Sequence, residues 1–97
     1  DILHYIHAHL TEPLNIDLLS QTFYISKYYM MRLFKAETGY TIGAYINYRR
    51  LLLARDLIYE GSSVTQACFS CGFRDYSAFL RAYKAQFHET PRSLRKS

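Results

Sequence analysis

Glycine and proline are scarce in this sequence, four and two in 97 residues, and its only two cysteines, Cys68 and Cys71, form a single C-x-x-C. So few breakers argue against disorder and leave few interruptions to helices. Two thiols cannot build a four-thiolate zinc site, and the βαβ pattern that accompanies a C-x-x-C redox centre is missing. Both cysteines are therefore expected to serve as small buried apolar groups in a reducing cytoplasm. Long apolar runs are missing too. A stretch such as Leu51, Leu52, Leu53 and Ala54 falls far short of the roughly 20 residues a membrane span needs, and no targeting segment is visible.

The signatures of catalysis are equally absent: no nucleophile with an adjacent base, no carboxylate pair and no phosphate-cradling glycine loop. The chain is read as non-enzymatic, with no cofactor and no metal. His4, His7 and His9 look like ligands, but on one helix His4 and His7 share a face that His9 does not, and no carboxylate completes a known ligand spacing. They are read as surface histidines.

What is present is apolar mass and a one-sided charge. Hydrophobic residues make up 49% of the chain and aromatics 16%, enough to fill the core of one domain of this length. Residues 1–48 hold Lys27, Arg32 and Lys35 against Asp1, Glu12, Asp17 and Glu37, a net charge of −1. The remainder holds Arg49, Arg50, Arg55, Arg74, Arg81, Lys84, Arg92, Arg95 and Lys96 against Asp56, Glu60, Asp75 and Glu89, a net charge of +5. A moderate, localised excess of this kind suits a phosphate-facing surface.

Apolar residues recur at helical spacing almost throughout, without the alternation of a half-buried strand, so the fold class is all-α. The first helix is expected at about 2–10, with Ile2, Leu3, Ile6 and Leu10 as its stripe and Thr11, Glu12 and Pro13 as its stop. Asn15 caps a second at about 16–23, and Ser26 a third at about 27–37 that buries Met30, Leu33 and Phe34 and ends at Gly39. Thr41 caps the longest, at about 42–59, a connector with Tyr45, Ile46, Leu51, Ala54, Leu57 and Ile58 as core positions. Ser62 or Ser63 starts a fifth at about 64–71, and Gly72 turns the chain. Asp75 then caps a sixth at about 76–87 that buries Phe79, Tyr83 and Phe87, and Thr90-Pro91 opens a seventh.

The two halves repeat. Ile16, Leu19 and Ser20 match Val64, Ala67 and Cys68 at an offset of 48, whereas Ser26, Arg32, Phe34, Lys35 and Thr41 match Asp75, Arg81, Tyr83, Lys84 and Thr90 at 49, the slip falling in the turn. A short helix with a small residue at a close crossing, a tight turn, a cap and a longer helix is the grammar of a helix-turn-helix. The organisation predicted is a helix-turn-helix subdomain at 1–41, a connecting helix at 42–60 and a second subdomain at 61–97.

A recognition helix buries one face on its own domain and offers the other to base edges. The outward residues of the third helix are Tyr28, Met31, Arg32 and Lys35, and those of the sixth are Ser77, Ala78, Arg81 and Lys84. Arginine can grip guanine through O6 and N7, and a lysine one turn on neutralises phosphate. The paired Arg and Lys spacing points to double-stranded DNA.

The segment 26–39 (S-K-Y-Y-M-M-R-L-F-K-A-E-T-G), Arg50-Leu51 to Ala54, and Gly72-Phe73-x-Asp75 leading to Arg81-x-Tyr83-Lys84 with Thr90-Pro91 resemble the AraC/XylS family, in order and over essentially the whole chain. The resemblance implies a seven-helix domain of a bacterial transcription regulator, in which a long central helix joins two helix-turn-helix subdomains that each insert a recognition helix into the major groove. By position it implies base contacts from Tyr28, Met31, Arg32, Ser77, Ala78 and Arg81, with phosphate contacts expected from Lys27, Lys35, Arg74 and Lys84. Against the family pattern His88 replaces a glycine, Ala78 stands where an aromatic is common, and Ser20 and Cys68 replace alanines.

The partners expected are double-stranded DNA, RNA polymerase and, because Asp1 falls directly at the start of a helical pattern, a preceding sensory or dimerisation domain of a longer parent chain; no membrane is involved. The rival reading is a helical protein-interaction module docking on RNA polymerase or on a partner domain.

Overall fold

The computed structural model describes residues 1–95. Among them are seven helices and no strand: α1 (Ile2–Ala8), α2 (Ile16–Phe23), α3 (Lys27–Thr38), α4 (Ile42–Tyr59), α5 (Val64–Ser70), α6 (Tyr76–Phe87) and α7 (Pro91–Arg95). The chain divides into two compact units, one spanning Asp1–Ile46 and the other beginning at Asn47.

Side-chain caps decide where the helices of each unit begin. In the first unit Asp1 accepts from the His4 N–H at 2.9 Å, Asn15 from Leu18 at 2.7 Å, Ser26 from Tyr29 at 3.1 Å and Thr41 from Ala44 at 3.1 Å. In the second, Ser63 and Gln66 form a reciprocal capping box, and the Asp75 carboxylate accepts from both Ser77 and Ala78. Each such cap satisfies otherwise orphaned donors and contributes about 0.5–2 kcal/mol.

The first core is built from Ile6, Leu19, Met30, Phe34, Ile42 and Ile46. The second is built from Leu51, Ala54, Ile58, Val64, Ala67, Cys68, Cys71, Phe79 and Tyr83. Burying one large apolar side chain fully is worth about 1.5–3 kcal/mol, so these sets dominate the stability of their units. The cores share a layout. Leu19 and Ala67 stand in corresponding places, as do Met30 and Phe79, Phe34 and Tyr83, and Ile42 and Pro91, all of them buried.

Several details depart from the periodicity. Leu33, expected in the core, is 37% exposed, because at about 100° per residue it falls to the side of the Met30–Phe34 stripe. The first helix ends at Ala8 rather than near Leu10, since His9 leaves helical geometry and its carbonyl accepts from Glu12 at 3.0 Å, opening the turn that leads to Pro13. The third runs on to Thr38, and the fifth stops at Ser70, with Cys71 as its C-cap. Phe87 is half-buried: it meets the Tyr83 ring edge-on and carries the Arg55 guanidinium 4.3 Å above its own ring.

Cys68 and Cys71 are free thiols within the second core. The Cys71 thiol donates to the Cys68 carbonyl at 3.2 Å, and burial pushes the Cys68 thiol up to about 11. Reactive thiolate is thereby suppressed at neutral pH. A thiol reagent is expected to label both cysteines only as fast as the second unit opens, so labelling should accelerate steeply with denaturant; rapid labelling in native buffer would contradict the buried placement.

Tyr83 is fully buried and its hydroxyl has no hydrogen-bond partner among the described residues, whereas Phe34 occupies the corresponding place in the first unit without a hydroxyl to satisfy. Burial also raises the Tyr83 phenol above its ordinary value of about 10. The unfolded phenol therefore ionises first, so this site's contribution to stability is intact below about pH 10 and is lost as pH rises beyond it. Tyr83→Phe is expected to stabilise the chain by about 1 kcal/mol and to lessen its alkaline sensitivity, both readable from thermal melts at pH 7 and pH 10.5.

Candidate nucleic-acid interface

Two turns of matching design separate α2 from α3 and α5 from α6. After α2, Tyr24 adopts the left-handed conformation (φ 53°), its N–H donates to the Gln21 carbonyl at 3.4 Å, and the next N–H, of Ile25, reaches back to Ser20 at 3.1 Å. After α5, Gly72 has φ 110°, its N–H donates to Phe69 at 3.3 Å, and the Phe73 N–H reaches back to Cys68 at 3.2 Å. These atoms correspond residue for residue at the offset of 48. The caps that follow, Ser26 and Asp75, correspond at 49, so the inserted residue is Arg74. It is exposed and immediately precedes the cap.

The correspondence continues to the far ends of both helices. Gly39 and His88 each take the left-handed conformation, and their N–H groups donate to Lys35 at 2.9 Å and Lys84 at 2.8 Å. His88 adopts the geometry a glycine would, at a steric cost of about 1–2 kcal/mol that Tyr24 also carries.

With those ends fixed, the buried pair of each helix sets which residues face outward. Met30 and Phe34 hold α3 against its unit, and Phe79 and Tyr83 hold α6. Measured at about 100° per residue from the first member of each pair, Arg32 and Arg81 take the same angular position, and so do Lys35 and Lys84. All four are exposed, and so are Tyr28 (79%) and Ser77. Met31 is 37% exposed at the flank of α3, and Ala78 is half-buried. Lys27 is exposed but engaged, its Nζ lying 2.7 Å from Asp17 Oδ1. An exposed pair of this kind is worth at most about 1 kcal/mol and can be exchanged for another anion.

Each outward surface has a shallow hollow beside it. On α3 it is lined by Tyr29, Arg32, Leu33 and Ala36. The hollow on α6 includes Arg81, Lys84 and Arg92 over an apolar floor of Val64, Tyr76, Leu80 and Pro91. Sequence reasoning singled out neither Tyr24, which is 96% exposed, nor Tyr29. The signal for Tyr24 lay in the repeat, which sets a tyrosine opposite Gly72. The histidines have local partners: His7 Nε2 lies 2.6 Å from the Tyr45 hydroxyl, and His9 Nδ1 lies 3.0 Å from Glu12 Oε2. Among the described residues no group of three His, Cys, Asp or Glu is arranged to hold a metal, and no helix is long and apolar enough to cross a membrane.

A family model described as a helix-turn-helix domain matches residues 19–97. The regulatory protein SoxS of Escherichia coli K12 is 34% identical over 96 residues, which is 98% of this chain and 90% of that protein. A transcriptional regulator from Chromobacterium violaceum, described as having an AraC-type DNA-binding domain, superposes with a TM-score of 0.86 at 30% identity, over 98% of this chain and 86% of the other. The DNA-binding domain of AdpA, solved with a target DNA, gives a TM-score of 0.92 at 25% identity, again over 98% and 86%. With two capped turns of one design, two recognition-type helices and these relatives along its length, the chain belongs to the AraC-type helix-turn-helix family of DNA-binding transcription regulators.

Proposed function

We propose that α3 and α6 each enter the major groove and read different subsites of one asymmetric DNA site. The observation that carries this is the shared angular placement of Arg32 with Lys35 and of Arg81 with Lys84, all exposed and all opposite a buried aromatic-containing pair. In α3 the base readers are Tyr28, Met31 and Arg32: the arginine offers a bidentate donor to guanine, and the two flanking side chains offer apolar surface to thymine methyl groups. In α6 they are Ser77, Ala78 and Arg81, where the half-buried Ala78 presents only a methyl. Lys27, Lys35, Arg74 and Lys84 neutralise phosphates, Lys27 by giving up Asp17.

Successive major-groove openings on one face of a duplex recur about every 10 base pairs, which sets the subsite spacing. Two unlike reading surfaces give the site direct-repeat rather than palindromic character, and engaging both at once favours a duplex that bends. Bacterial DNA places this work in the cytoplasm, and a regulator seated at a promoter has RNA polymerase as the protein neighbour to test.

Arg32→Ala is expected to cost about 1–3 kcal/mol on a duplex selected from a random pool and to relax preference at one base. Lys84→Ala is expected instead to weaken selected and scrambled duplexes alike and to reduce the salt slope by about 1. Titrations of both variants on both duplexes at several salt concentrations separate the outcomes. Affinity that ignores salt and survives Arg32→Ala would favour the protein-interaction module.

A further inference from the structure

The two turns differ in a way that the repeat makes legible. In the second unit the left-handed position is filled by Gly72, which adopts it freely, and the exposed Arg74 is inserted two residues later. In the first unit there is no inserted cation. The left-handed position is filled instead by Tyr24, a bulky residue held where glycine would be relaxed, with its side chain 96% exposed. Burial does not explain that choice, and neither does the backbone, whose hydrogen bonds are the same in both turns. Tyr24 and His88 are the two residues other than glycine that take left-handed backbone among the described residues, and strain of this kind clusters at functional sites.

Position says which function. Tyr24 stands two residues before the cap of α3 and four before Tyr28, on the connection that leads into the end of the helix that meets the bases in helix-turn-helix proteins. Phosphate contacts in protein–DNA complexes come in part from helix N-termini and from tyrosine and other polar side chains, so the entry to a reading helix suits one. Arg74 holds the same approach in the second unit, directly before the cap of α6. The first unit has a negative net charge, and the cation nearest that approach, Lys27, must give up its 2.7 Å ion pair with Asp17 to meet a phosphate.

We infer that Tyr24 is the backbone anchor of the first unit, its phenol O–H donating to a phosphate oxygen at the groove edge, as the functional counterpart of Arg74. This rests on the DNA-binding reading above. It assigns the two anchors different physics. Arg74 releases a counterion on binding, whereas a neutral phenol donates a hydrogen bond without displacing any cation.

The test measures Tyr24→Phe, Tyr24→Gly and Arg74→Ala in the intact chain, on a selected and a scrambled duplex across a salt series. A hydrogen bond to a charged acceptor corresponds to about a tenfold change in affinity. Tyr24→Phe is expected to weaken both duplexes about tenfold and leave the salt slope unchanged. Tyr24→Gly should weaken them at least as much while its melting temperature rises or holds, since the left-handed strain is relieved. Arg74→Ala should weaken both and reduce the slope by about 1. Wild-type affinity in both Tyr24 variants would overturn the inference, and so would a loss confined to the selected duplex, which would make Tyr24 a base reader. If Arg74→Ala and Lys84→Ala also leave binding and its salt dependence intact, the phosphate assignments of the DNA-binding reading fail with it; if only the Tyr24 variants do, that reading stands.

Discussion

Everything that faces outward in each unit depends on one backbone constraint, the reversal between a short helix and the longer helix that follows. A left-handed residue and an N–H reaching back five positions close the first helix, and a side-chain cap opens the next a few residues later. Left-handed backbone ends a helix at a defined residue, and a cap starts one at a defined residue. Between them they fix the rotation of α3 and α6 about their own axes. A shift of one residue in either would carry Arg32 or Arg81 through about 100° and turn it off the outward face.

The cores hold that rotation in place. Met30 and Phe34 in the first unit, and Phe79 and Tyr83 in the second, are buried in adjacent turns of their helices, so each recognition helix is held at two levels. The crossing helices carry small residues at the corresponding positions, Ser20 half-buried and Cys68 fully buried. The cysteine thiols are fillers in this arrangement, since burial keeps them protonated and inert. The Tyr83 hydroxyl, without a partner among the described residues, stands in the second core at the place where the first carries Phe34.

Much of this was legible in the residues. Cap residues and helical periodicity place six of the seven helix starts, through Asn15, Ser26, Thr41, the Ser62-Ser63 pair of which Ser63 is the cap, Asp75 and Thr90-Pro91, because a short polar side chain before an apolar run has few other uses. The repeat exposed the matching Arg and Lys positions. What escaped were departures that no residue type announces. A tyrosine and a histidine in left-handed backbone cannot be foreseen from propensity, which favours glycine there. Leu33 looked like core because leucine and helical spacing both favoured it, yet the stripe is narrow enough to leave it at the margin. The repeat puts the slip between the copies in the turn, and the backbone hydrogen bonds assign it to Arg74.

That single inserted residue decides how the halves could be treated as parts. Up to Ile25 and Phe73 the copies run in step at one offset, and from Ser26 and Asp75 they run in step at another. Segments 26–41 and 75–90 therefore have equal length, each opening on a side-chain cap, Ser26 or Asp75, and ending on a threonine, Thr41 capping α4 and Thr90 hydrogen-bonded through its side chain to Ser93. They are natural cassettes: a recognition helix could be transplanted from its opening cap to the closing threonine without disturbing the reversal that precedes it. A join made further upstream, inside the reversal, would import or delete Arg74 and dock the transplanted helix out of phase.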